Sequence, residues 1–212
     1  MPENITITIS RQIGSGGTYI GQEVAKRLGC RYMDREIVRE VADHLKEDED
    51  LLADRQERVS SFWEKLVRSC SVCTPETGYA PPPIRPLMDG ELFAAEALII
   101  RKIAERCNAV IVGRGAFHIL SDIPGLVKVF LHAQPEFRIR RVMDVFHIAD
   151  AEQAETLVGD SDKHRRRFIR TIAGVEWTDA VNYHLSIDTG VVGFADACEM
   201  ILCRARTLLA KK

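Results

Sequence analysis

The stretch RQIGSGGTYIG, Arg11 to Gly21, holds the residues best suited to chemistry. Gly14, Gly16 and Gly17 leave the backbone free to turn several amides toward one anion, and Ser15 stands among them. Thr18, next in line, offers a hydroxyl of the kind that ligates magnesium beside a phosphate. An alternating apolar and hydroxyl run, Ile5 to Ser10, precedes the loop, and an amphipathic segment through Val24, Ala25 and Leu28 follows it. Strand, glycine loop and helix in that order bring a helix's positive end to the loop, which is an anion-binding arrangement.

The phosphate-binding motif written GxxxxGKS or GxxxxGKT places a lysine directly after its second glycine. With Gly16 as that glycine, Gly17 takes the lysine's place and Arg11 that of the first glycine. A cradle without its cation needs another, because phosphoryl transfer rests on positioning and charge neutralisation. Arg11 is nearest in sequence, and it equally fits a surface arginine at a strand end. A second supply lies in DKHRRRFIR, Asp162 to Arg170, where Arg165, Arg166, Arg167 and Arg170 fall within two helical turns. Such a run is either a grip on phosphate or a solvated basic face. Arg138 and Arg141 follow FLHAQPEF, either turned inward or paired with Glu136 and Asp144. Asp34, after Tyr32 and Met33, either meets a ligand or caps a helix that starts at Arg35.

Other chemistry is poorly supplied. Cys70 and Cys73 make the one CxxC pair among six cysteines, and no second pair completes a tetrahedral metal site, so free thiols are expected. The six histidines show no ligand spacing. A net charge of −2 gives no overall attraction to nucleic acid or anionic lipid, so any anion site must be local. No apolar run approaches the ~20 residues of a membrane span, and the N-terminus lacks a signal-peptide pattern. The expectation is a cytoplasmic chain with neither nucleic-acid nor membrane partners.

The elements that must position these residues read as an α/β fold. Ile5–Ile9, Ala109–Val112, Val127–Leu131 and His184–Ile187 are short apolar strands, each with turn residues and a helical pattern after it. Strands alternating with helices predict a doubly wound parallel sheet with ligands outside the strands' carboxyl ends, where every motif named above falls. The middle breaks this rhythm. A charge-dense helical piece runs into a loop with PPPIRP, which no central strand or regular helix accommodates. One domain of 212 residues is expected, its core 1–41 and 89–212, with an inserted helical and loop lobe at 42–88 and a helix from Glu91 to Glu105 returning to the sheet. Trp63 and PPPIRP in that insert also suit a homo-oligomer contact.

Four segments resemble the cytidylate kinase-like branch of the P-loop nucleoside monophosphate kinases: the glycine loop, RLGCRYMDREIVREVA, VIVGRGAFHILSDIPGLVKVFLHAQPEFRIRRV and NYHLSIDTGVVGFADACEMI. The resemblance implies a P-loop kinase fold with a substrate lobe and a short lid at about 150–180. It implies ATP and Mg²⁺ as cofactors, with Gly14, Ser15, Gly16, Gly17 and Thr18 on the donor phosphates and Thr18 on the metal. Arg114 would meet the acceptor's phosphate, as would Asp34 and either Arg39 or Arg35, the spacing to Arg39 being one residue shorter than in the family. Thr189, with Asp188 and Gly190, would close over adenine. Arg166 and Arg170 of the lid, together with Arg11 and Arg114, would neutralise the transferring phosphoryl group. The family's Gly-Arg-Asp reads here Gly113, Arg114, Gly115, so the base-reading aspartate is absent. The implied activity is ATP-dependent phosphorylation of a small molecule, with nucleoside monophosphates the first acceptors to consider. Its alternative is a nucleotide-binding or regulatory module that kept the fold without the lysine.

Overall fold

A computed structural model describes residues 4–34 and 90–210. Five parallel strands form one sheet: β1 (Thr6–Arg11), β2 (Arg31–Met33), β3 (Ala109–Val112), β4 (Leu126–His132) and β5 (Leu185–Asp188), in the order β2-β3-β1-β4-β5. The helices are α1 (Gly17–Leu28), α2 (Gly90–Arg106), α3 (Ala116–Ile119), α4 (Pro135–Phe146), α5 (Ala151–Ala173), α6 (Thr189–Val192) and α7 (Phe194–Leu209). From β1 the chain crosses to the edge at β2, steps back to β3 beside β1, and then continues past β1 to β4 and β5. The crevice above β1's carboxyl end is therefore where ligands bind in such sheets.

Both faces of the sheet are covered, and the strand residues divide between them by their two-residue period. Ile5, Ile7, Ile9, Val110, Val112, Val127, Val129 and Leu131 pack with Ile20 and Val24 of α1 and Ile201 and Leu202 of α7. Ala109 and Ile111 face Ile99, Ile100 and Ile103 of α2 on the other side. Each buried isoleucine contributes about 1.5–3 kcal/mol relative to exposure. The hydroxyl half of β1's alternation is buried too: Thr6 and Thr8 are each 1% exposed, and the Thr8 hydroxyl donates to the Val127 carbonyl at 3.4 Å.

Three of the expected strands, those read at Ile5–Ile9, Val127–Leu131 and His184–Ile187, reappear with their edges moved by one or two residues, and Ala109–Val112 reappears as read. β2 was not foreseen. Its three residues are too few for a period to show, and it exists through its pairing with Ala109, Val110 and Ile111. The insert at 42–88, with Trp63, Cys70 and Cys73, lies outside the described residues, as do Arg35 and Arg39.

Candidate functional site

The glycine loop is fastened from below. Ser15 is fully buried, its hydroxyl 2.8 Å from the Gln12 carbonyl and 3.2 Å from that of Leu131 at the end of β4. The Thr189 hydroxyl lies 3.0 Å from the Ser15 carbonyl and 3.1 Å from that of His132, so α6 locks the loop to β4. Gln12 accepts from the Ala133 amide at 3.3 Å and donates to Asp162 of α5, also at 3.3 Å. Gly16, at φ 77°, precedes α1 with no side-chain cap, so the first-turn amides remain available to an anion.

Each loop glycine touches something that a side chain would displace. A Cβ on Gly14 would stand 2.7 Å from the Arg138 carbonyl oxygen, one on Gly16 2.6 Å from the Phe194 ring, and one on Gly17 2.5 Å from Arg11 Cγ. Three arginines thus surround the loop, in different states. Arg138 is 5% exposed and pairs with Asp162 at 2.9 Å. Arg141 lies over the Phe194 ring with its Cζ 4.4 Å from the centroid, and burial lowers its pKa. Arg11 forms no hydrogen bond or ion pair with any described residue. Its stem crosses Gly17 and its guanidinium rests against Gly113 at the end of β3.

Beside Arg11, the Tyr32 hydroxyl donates to Asp34 at 3.3 Å. Burial, then the Asp34 carboxylate, raises Tyr32's pKa, so the phenol stays neutral beside Asp34. Lower in the sheet, burial pushes the Tyr183 phenol up to about 12; its hydroxyl donates to the Trp177 carbonyl at 2.8 Å.

After β3, Gly113, Arg114 and Gly115 hold φ values of 87°, 54° and 67°, three left-handed residues in succession. For Arg114 this backbone is costly, and its side chain is fixed from two sides. Its guanidinium pairs with Glu96 of α2, a carboxylate only 1% exposed, and lies over the Phe168 ring of α5 at 5.5 Å. A Cβ on Gly115 would overlap the Ile172 side chain of α5. The space beside Gly115 is therefore taken by the Ile172 side chain.

The sequence profile of the cytidylate kinase-like family matches residues 6–191. The chain belongs to the cytidylate kinase-like family. No curated protein matches it in sequence. Its fold is shared with an uncharacterized protein from Eubacterium ventriosum, at 23% identity and a TM-score of 0.70, with 96% of this chain and 99% of that one covered. A gluconokinase from Sinorhizobium meliloti is also similar, at 16% identity and a TM-score of 0.49 over 100% and 94% of the two chains. A shikimate kinase from Bacteroides thetaiotaomicron stands at 14% and 0.48 over 97% and 98%. The family match over residues 6–191 accords with the parallel sheet and the glycine loop that opens α1.

Seen as a family member, the chain gathers Gly14, Ser15, Gly16, Gly17, Thr18, Arg11, Asp34 and Arg114 at the carboxyl edge of the sheet, on the loops after β1, β2 and β3. Three expectations change. Thr189 is 1% exposed with its hydroxyl directed at two carbonyls, so it supports the loop and has no donor left for a base. Arg166 and Arg170 share a face as their spacing predicts, but that face is the outer one: both pair with Glu176, at 2.9 and 3.5 Å. The inner face of α5 carries Phe168, Ile169 and Ile172, and the half-buried Arg165, bonded to Ser161, lies nearest it. The stretch read as a lid is mostly this one 23-residue helix, whose Ala154 and Val158 pack with Val142 of α4.

Sequence reasoning missed Asp162, Phe194, Glu96 and Gly113. Arg138 was open to pairing with Glu136 or Asp144, and the structure joins it to Asp162, 24 residues on. For magnesium, the described residues contain no cluster of three acidic, histidine or cysteine ligands. Thr18, in the first turn of α1, offers a hydroxyl oxygen that suits a metal held by one hydroxyl, substrate phosphates and water. Among the described residues, no helix is long and apolar enough to cross a membrane.

Proposed function

We propose that this protein is an ATP- and Mg²⁺-dependent phosphotransferase acting on a small phosphate acceptor of the nucleoside monophosphate kind, with Arg11 in place of the loop lysine. The observation that carries this reading is Arg11's side chain, lying across Gly17 with its guanidinium beside the loop and in no hydrogen bond or ion pair with any described residue. The other two arginines at the loop are engaged, Arg138 by Asp162 and Arg141 by Phe194.

In this reading the uncapped amides of α1 and the loop hold the donor phosphates, and Thr18 holds the metal, whose charge would shield the phosphate oxygens. Transfer breaks the bond from the γ-phosphorus to its bridging oxygen as the acceptor oxygen forms a new one, releasing ADP and the acceptor's proton. Arg114, oriented by Glu96, and Asp34 serve the acceptor's phosphate, a role the sequence also suggests for Arg39. On α5, Arg165 supplies the lid guanidinium in preference to Arg166 and Arg170. The overlap of position 115 with Ile172 supports an acceptor whose base is not read there.

Phosphorus NMR of ATP and Mg²⁺ against nucleoside monophosphates and small alcohols tests this reading. ADP appearing together with one phosphorylated acceptor is the expected result. A raised melting temperature with ATP but no turnover on any acceptor would favour the nucleotide-binding module instead.

A further inference from the structure

The loop has not simply lost a lysine. Against the written motif, a glycine has become Arg11 and a lysine has become Gly17, so one cation and one glycine have exchanged places. The coordinates show why the two changes belong together. A Cβ on Gly17 would lie 2.5 Å from Arg11 Cγ, 2.8 Å from its Cβ and 3.4 Å from its Cδ. The stem of Arg11 therefore runs through the space where a side chain at position 17 begins. Farther along, a Cβ on Gly113 would overlap the guanidinium itself. Gly113 cannot retreat, because its amide is bonded to the Ile9 carbonyl at 2.9 Å.

We propose that Gly17 and Gly113 are positioning residues that form a trough for Arg11, carrying the loop's cation from the donor loop toward the Gly113–Arg114 turn, and that a lysine at position 17 is incompatible with it. This inference rests on the proposed function and names the residues that set its charge. In the motif, the cation springs from the first turn of the helix. Here it springs from the end of β1 and reaches the turn after β3, so its planar fork lies between the donor loop and the turn that carries Arg114. A guanidinium in that place can hold two phosphate oxygens at once, which an ammonium cannot. Its contact is with the terminal phosphate of the donor more than with the inner ones.

The test is a double-mutant cycle on the full chain, with Gly17→Lys, Gly17→Ala, Arg11→Gly and the two doubles, read by calorimetric affinity for Mg·ATP and Mg·ADP and by thermal melting. Arg11→Gly should weaken ATP at least tenfold and ADP by less than threefold. A purely structural arginine would weaken both equally, and that result overturns the proposal. Gly17→Lys alone should also weaken ATP, whereas Gly17→Lys with Arg11→Gly should recover most of the affinity.

Melting reads the trough without any ligand. Gly17→Ala should lower the melting temperature beside Arg11 and raise it in the Arg11→Gly background, where only the helix preference for alanine remains. Additive cycles, or a Gly17→Lys variant that binds ATP as tightly as the parent, would overturn the trough while leaving the kinase reading in place. A parent protein that binds no ATP would overturn both, and the melting cycle would then report packing alone.

Discussion

Around the glycine loop, Arg138 sits on Gly14 and is answered by Asp162, Arg141 lies on the Phe194 ring that covers Gly16, and Arg11 fills the space beside Gly17 and Gly113. On the outer face of α5, Lys163, Arg166, Arg167 and Arg170 line an open depression of about 350 Å³ with Thr171. Their charged ends are reached freely by solvent, with Lys163 77%, Arg166 51% and Arg170 71% exposed. The sequence makes the second region the more conspicuous, five lysines and arginines in the eight residues 163–170, Arg165 included, against three arginines spread over 131. Position relative to backbone, not density of charge, decides which can act on a held phosphate: a preorganised cation in a crevice works at low local dielectric, and an exposed one is screened by water and salt.

The sharpest way to break this contrast is to remove Asp162. Arg138 would then be a buried charge with no counterion, and Asp162→Ala should cost about 3–5 kcal/mol in urea unfolding. Replacing both partners, Arg138→Met with Asp162→Leu, should recover most of that loss. If Asp162→Ala costs under ~1 kcal/mol, the pair at the loop is no different in kind from those on α5.

A smaller effect is expected beneath the loop. Thr189→Val removes the hydroxyl shared by the Ser15 and His132 carbonyls and leaves both without that donor, a loss of about 1–3 kcal/mol. Mg·ATP affinity should fall along with stability, since the loop's anchor to α6 is gone. Unchanged affinity would return Thr189 to a purely structural role.

The smallest effect belongs to the outer face. Arg166→Ala and Arg170→Ala break exposed pairs with Glu176 and should change stability by no more than ~0.5 kcal/mol, less still at high salt. Turnover should stay within a few-fold of the parent. A hundredfold loss of turnover in either variant would mean that α5 swings its outer face inward during catalysis, and the contrast drawn here would fail.

The sheet was legible because β1, β3, β4 and β5 are each long enough for apolar runs to show, and α2 because its apolar spacing persists through 17 residues. β2 was not, since Arg31–Met33 owes its strand form to β3 beside it. The glycine loop was legible from types and spacing alone. Which arginines face it was not: in α5 the spacing shows that Arg166 and Arg170 share a side, but which side is inner depends on where Phe168, Ile169 and Ile172 find apolar partners. Arg138 illustrates the same limit, because its partner lies on another helix and no local rule pairs residues 24 apart. Thr189 fell near the right loop with the wrong task, since a hydroxyl's direction is set by the backbone around it.

The turn at Gly115 also bears on what position 115 can accept. A side chain there would need a residue able to hold φ 67° and would push against the tip of Ile172, so the backbone and not the isoleucine sets the stricter limit. The same turn that aims Arg114 at Glu96 thereby leaves room for little but glycine after it.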